Sequence, residues 1–141
     1  MKNSQKFSAL LAFIIVCSFN TYAQNDITKT ERYIEISNLE SFFTTSSDYP
    51  NEIVCSFELH NIFEHESSKP AFVAVNELSN VTKFSIKSRS EKYENQRSCY
   101  LRMQKQNYFS TFGLVLKNIE IKYILFEGNF IETDEFLKNN L

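Results

Sequence analysis

Cysteine and histidine side chains near the middle of the chain have types that could bind a metal ion. Cys55, His60 and His65 are spaced Cys-x4-His-x4-His, with glutamates between and beside them. Thiolate, imidazole and carboxylate groups bind Zn²⁺ and Cu²⁺. Strand alternation directs Cys55 and His60 to opposite faces, however, and the spacing is looser than in known zinc motifs. We therefore interpret this segment as a solvated polar loop, predict no metal or other cofactor, and keep His60 and His65 as the residues to test.

A second thiol could pair with the first. Cys55 and Cys99 both alternate with apolar residues, so both are expected to face the core. In an oxidising compartment two such cysteines often form a disulfide. The alternative is that both are buried free thiols acting as small apolar side chains. Redox catalysis is disfavoured, because it needs an exposed thiol of low pKa.

Acidic residues near the carboxyl end could be interpreted as the acid pair of a hydrolase. Glu132, Asp134 and Glu135 more simply occupy the first turn of a short helix, where acids complement the helix dipole. The chain has two glycines, neither in a phosphate-binding loop, and it has no Gly-x-Ser-x-Gly sequence. We predict no catalytic residues and a protein that is not an enzyme.

Alternating and helical periodicities define the elements that would position these side chains. Strands are predicted at 53–59, 84–86, 99–103 and 121–126, and a first, shorter strand at 33–37. Helices are predicted after the Ser-Ser-Lys-Pro start at 67–70 and over 109–119. The residues 44–51 and 127–130 have turn chemistry, and the charged stretch 88–98 is expected to be a solvated loop.

This order is strand, helix, strand, strand, helix, strand, which predicts a ferredoxin-like split βαβ fold (βαββαβ) of the α+β class. Two helices would cover one face of a four-stranded antiparallel sheet, with the core at about 53–127. The Cys55 and Cys99 strands would be neighbours. An extra N-terminal strand and a short C-terminal hairpin and helix, with Phe136 and Leu137 docked, would be additions.

The element order and the phrase Leu78-Ser79-Asn80-Val81 before a strand resemble the heavy-metal-associated domain family. The resemblance covers about half of residues 24–141 and implies the ferredoxin-like layout. In that family a Cys-x-x-Cys between the first strand and first helix binds the metal. The corresponding junction here, residues 60–66, contains no cysteine, so the resemblance is one of fold.

The first residues have the pattern of a secretory signal peptide. Lys2 and Lys6 precede an apolar run at 7–19, and a small-x-small ending places cleavage between Ala23 and Gln24. The run is shorter than the roughly 20 residues of a membrane-spanning helix. We therefore predict a signal peptide at 1–23, one domain at 24–141, a Sec-type export route to the periplasm or the outside, and no stable membrane anchor after cleavage.

Charge and composition narrow the class of partner. The chain has a net charge of −2, and its leader carries only basic charges, so residues 24–141 are more acidic still. This argues against nucleic acid as a partner. Phe42 and Phe43 are expected to close the core, or else to form a binding patch. We predict a non-catalytic domain that binds a peptide, protein or small ligand of the cell envelope through a sheet face or edge. The alternative is a metal- or thiol-handling module.

Overall fold

The computed structural model describes residues 30–62, 70–87 and 95–140. All elements below belong to one compact unit that begins at Glu31. The strands are β1 (Tyr33–Ile36), β2 (Thr44–Ser46), β3 (Tyr49–His60), β4 (Val81–Ile86), β5 (Gln96–Gln104), β6 (Tyr123–Phe126) and β7 (Asn129–Glu132). The helices are α1 (Leu39–Phe42), α2 (Pro70–Ala74), α3 (Tyr108–Asn118) and α4 (Thr133–Asn140), and a 3₁₀ turn at Val75–Glu77 continues α2.

The seven strands form one mixed sheet, which establishes the α+β class. Its order is β4-β5-β3-β1-β6-β7, and β2 pairs with the first part of β3 on the same edge that β1 uses. β3 and β5 are antiparallel neighbours, so the prediction that the Cys55 and Cys99 strands lie side by side is confirmed. The prediction of a four-stranded antiparallel sheet is wrong, because β1 lies between β3 and β6 and runs parallel to β6.

The first strand is central because of its two isoleucines. Ile34 and Ile36 point to the covered side of the sheet and are fully buried. β1 pairs with β6 over its whole length, from Tyr33 opposite Tyr123 to Ile36 opposite Phe126. Its pairing with β3 covers only the residues opposite Leu59 and His60. A strand that buries two isoleucines gains more in the middle of a sheet than at its edge, which explains the insertion.

All four helices contribute apolar side chains to a single core on one side of the sheet. Phe112 of α3 lies at its centre, with no exposed surface. Phe42 and Phe43 contact its ring, with ring centroids 5.6 and 5.1 Å away. Both therefore close the core, as expected. Gly113 lets α3 approach α4, since a Cβ there would lie 3.1 Å from Leu137. No helix in the described ranges is long and apolar enough to cross a bilayer.

Turns and strand ends differ from the prediction in several places. The threonines assigned to a turn form β2, and β3 begins at Tyr49, so Pro50 is inside a strand. At the last hairpin Glu127 and Gly128 are the central residues, both with positive φ, one position earlier than expected. That is the geometry of a type I′ turn, whose twist suits a two-residue hairpin.

Two other segments are only partly described. The sequence predicts one apolar face on the first helix, formed by Ala71, Ala74, Val75 and Leu78. Val75 is buried as predicted, Phe72 is buried although it was not expected to be, and the other three residues are only partly buried. The expected start of this helix at 67–69 lies outside the described residues, as does 88–94 of the expected charged loop. The rest of that loop is not solvated: β5 begins at Gln96, and Arg97 is only 2% exposed.

Candidate functional site

β3 separates two chemically different faces of the sheet. Its inward residues at 53, 55, 57 and 59 are buried, whereas Val54, Ser56, Glu58 and His60 are partly or fully exposed. We call the second side the outer face. The helices pack on the inner face. The outer face is therefore where described side chains meet solvent and could meet a ligand.

The two cysteines lie on the inner face and are free thiols in this structure. Cys55 is opposite Leu101 and Cys99 is opposite Phe57, so the cysteines are diagonal neighbours. Diagonal pairs are about 7–8 Å apart, beyond the usual Cα separation of a disulfide. Burial raises the pKa of both thiols, that of Cys99 to about 12. Of the two alternatives that the sequence left open, this structure has the buried free thiols and no disulfide between these two residues.

The outer face contains a groove of about 740 Å³ at the place where the edge of β3 changes partner. β1 pairs with β3 at Leu59 and His60, and β2 pairs with β3 at Val54 and at residues that precede it. Neither strand pairs with the four residues of β3 between these two stretches, Cys55 to Glu58. We call this interval the β3 gap. α1 fills its inner side through Phe42, which stacks on Phe57, while the outer side stays open.

Two carboxylates, those of Glu35 and Glu58, and the imidazole of His60 line the groove. Ser98 Oγ and Gln96 Nε2 donate hydrogen bonds to Glu58, the latter over 3.3 Å. His60 lies flat on the Tyr33 ring, with centroids 4.3 Å apart and planes 5° from parallel. Burial lowers the pKa of His60, although the charges of Glu35 and Glu58 act in the opposite direction. The imidazole is therefore neutral at pH 7.

In the neighbouring part of the outer face, the charged side chains already contact each other or aromatic rings. Arg102 on β5 lies 2.8 Å from the Glu52 carboxylate and 3.8 Å from the centroid of the Tyr49 ring. The Lys83 ammonium lies 5.9 Å from the centroid of the Tyr100 ring. We call these five residues the paired region. Its charges already have partners, so it offers less to a ligand than the groove.

The residues singled out from sequence do not come together. Cys55 is buried in the core and His60 lines the groove, as strand alternation predicted, and His65 lies outside the described residues. Within the described ranges no group of three or more His, Cys, Asp and Glu side chains could hold a metal ion. Asp134 and Glu135 lie in the first turn of α4, and the Asp134 carboxylate is 2.9 Å from the Lys117 ammonium, whereas Glu132 is the last residue of β7.

Sequence reasoning did not identify Glu35 and Ser98 as groove residues. Glu35, like Tyr33 behind His60, is an outward residue of β1, which was treated as an addition to the fold. Ser98 was assigned to a loop. The alternation of residues 33–36 was an indication of this arrangement. If β1 is placed inside the sheet, that alternation directs Tyr33 and Glu35 to the same face.

Comparison with known proteins gives no match: no family model, no curated protein and no solved structure is similar to this chain.

Proposed function

We propose that this protein is a non-catalytic binding domain of the cell envelope, and that it binds a peptide, protein or small ligand on its outer face. One observation carries the proposal: a groove of about 740 Å³ lies beside the outward residues Ser56, Glu58 and His60 of β3, and Ser41 and Phe42 of α1 also line it. Ligand sites commonly have volumes of about 300–1,000 Å³. The mixture of polar groups and aromatic rings in the groove suits recognition of a partner.

The location is proposed from sequence. The pattern of residues 1–23 supports export by the Sec route, with cleavage between Ala23 and Gln24 and a single domain at 24–141. We also propose that the fold is a modified ferredoxin-like arrangement. The order β3-α2-β4-β5-α3-β6 supports this, with β1 added between the first and last core strands.

Metal or thiol handling has less support than binding. The buried position of Cys55 and Cys99 and their raised pKa values disfavour reactive thiolates. His60 faces the other side of the sheet from both.

The test compares two sites for a photoreactive amino acid in the exported protein. Ser56 is exposed on the outer face, and Leu114 is 53% exposed on α3, on the helix side. We expect one envelope partner to crosslink from position 56, with or without a chelator. Crosslinking from position 114 alone would contradict the proposal, and capture that depends on the absence of chelator would favour the metal-handling alternative.

A further inference from the structure

We infer that the groove docks an extended polypeptide segment carrying a lysine or arginine, whose cationic head lies at Glu35 and Glu58 beside the Tyr33–His60 stack. This inference rests on the proposed function and specifies its ligand. It depends on the charge of the groove, on its aromatic wall and on the β3 gap.

Carboxylates outnumber cations among the charged side chains that line the groove. Glu35, Glu58 and His60 line it together, and Lys87 is the one Lys or Arg among the described residues that lines it. Glu58 receives its hydrogen bonds from neutral donors. Among the residues that the structure describes, no Lys or Arg, Lys87 included, forms an ion pair with either carboxylate.

The aromatic wall of the groove is the His60 ring, and it allows the same ligand charge. The Tyr33 ring stacks on this imidazole and forms a T-shaped contact with Phe130 at a centroid distance of 5.0 Å, which fixes the position of the wall. A guanidinium or ammonium group is stabilised by the carboxylates beside it. Because burial keeps His60 neutral at pH 7, the wall does not repel a cation.

The shape favours a polypeptide over a small amine. The groove runs along the β3 gap, which is four residues long, or about 13 Å of strand. A small amine needs enclosure to bind well, whereas an extended chain can bind in an open groove. It can also form hydrogen bonds with a strand edge that has lost its neighbour. Thr44 and Asn38 on the opposite wall add polar side chains.

The paired region explains why the preferred ligand is basic and not acidic. Arg102 and Lys83 lie on the neighbouring strands, but each already contacts an aromatic ring, and Arg102 also contacts Glu52. An acidic segment would meet two carboxylates and, of the described cations that line the groove, Lys87 alone. A basic segment meets carboxylates that need no rearrangement.

The test is selection from a synthetic library of peptides about eight residues long, enough to exceed the gap. One central position is Lys, Arg, Gln or Glu, and the others are randomised. We expect Lys and Arg peptides to be enriched. The best peptide should bind at least about fivefold more tightly than its Gln counterpart, a difference of about 1 kcal/mol.

Glu35→Gln should weaken the basic peptide about two- to fivefold and leave its Gln counterpart unchanged. Glu127→Gln, which removes the same charge at the exposed β6–β7 turn, is the matched control and should change neither. Equal enrichment of Gln, or preference for Glu, would overturn the inference and leave the proposed function standing. Failure of every peptide, or equal competition by free arginine, would also overturn it. The proposed function itself is lost if crosslinking comes from position 114 alone, or if capture depends on the absence of chelator.

Discussion

Neighbouring residues of β3 show how differently the two faces of one strand are used. Phe57 is 5% exposed and its ring lies 6.2 Å from that of Phe112, at the centre of the core. Ser56 and Glu58, one position away on either side, point to the groove. The inner face contributes stability through apolar contact, and the outer face contributes polar groups that folding does not require. A binding site can therefore evolve on the outer face at little cost in stability.

The largest expected effect separates these two roles. Phe57→Ala removes a buried aromatic ring and leaves a cavity, so it should lower the free energy of unfolding by about 3–5 kcal/mol. Ser56→Ala, on the exposed side of the same strand, should change it by less than about 0.5 kcal/mol. Urea denaturation measures both. Similar losses for the two variants would show that the outer face is packed against something and is not open.

Thiol chemistry gives a second contrast between the faces. The pKa of Cys99 is raised to about 12 from an ordinary value of 9.0, so at pH 8 the thiolate is about a thousandfold rarer than for an exposed cysteine. Both measurements use a Cys17→Ser background. In the folded protein, Cys55 and Cys99 should react with a thiol reagent at least about a thousandfold more slowly than the exposed thiol of the Ser56→Cys variant. After denaturation two thiols should react. Recovery of none would show that Cys55 and Cys99 form a disulfide after all.

The sequence predicted elements whose periodicity is long, and failed where position in the sheet decides the outcome. The alternation at 53–59 and 99–103 and the helical spacing at 109–119 identified β3, β5 and α3, because burial of one face imposes such patterns. The four residues of β1 carry too short a pattern to distinguish an edge strand from a central one. That distinction depends on pairing with β6, about 90 residues later in the chain, which local patterns do not contain.

The candidate site was predicted only in part for the same reason. Alternation correctly placed His60 outside and Cys55 inside. The groove itself exists because β1 and β2 leave β3 at different residues, and α1 fills only the inner side of the interval. Glu35 and Ser98 become neighbours of Glu58 and His60 only through that tertiary arrangement. A charged residue on a short strand gives no indication of this before the sheet is assembled.

A smaller effect distinguishes two serines of the outer face. Ser98 donates a hydrogen bond to Glu58, so Ser98→Ala should lower the free energy of unfolding by about 0.5–1.5 kcal/mol. Ser85 is also half-buried on the outer side, opposite Tyr100, and no hydrogen bond of its hydroxyl is observed within the described residues. Ser85→Ala is the matched control and should be nearly neutral. Equal effects in urea denaturation would mean that the Ser98–Glu58 contact is not formed in solution.

The smallest effect concerns His60, whose pKa burial holds below its ordinary value of 6.5. The unfolded chain then binds more protons than the folded one between those two pKa values. The free energy of unfolding should therefore decrease as the pH falls from 6.5 through the folded pKa, and be unaffected by His60 above 6.5. His60→Gln should remove this part of the pH dependence, measured by urea denaturation at pH 7 and 5.5. An unchanged dependence would contradict the burial of the imidazole.

Substitutions around His60 test whether the Glu35 and Glu58 carboxylates both affect the pKa of its imidazole. The charges of Glu35 and Glu58 raise the pKa of His60 against the larger effect of burial, so Glu35→Gln should lower it further. Removing the stacked ring with Tyr33→Leu should instead raise it, because water then reaches the imidazole. Glu127→Gln should leave it unchanged. Titration of the imidazole protons by NMR distinguishes these three outcomes, and a rise in Glu35→Gln would show that Glu35 points away from the groove in solution.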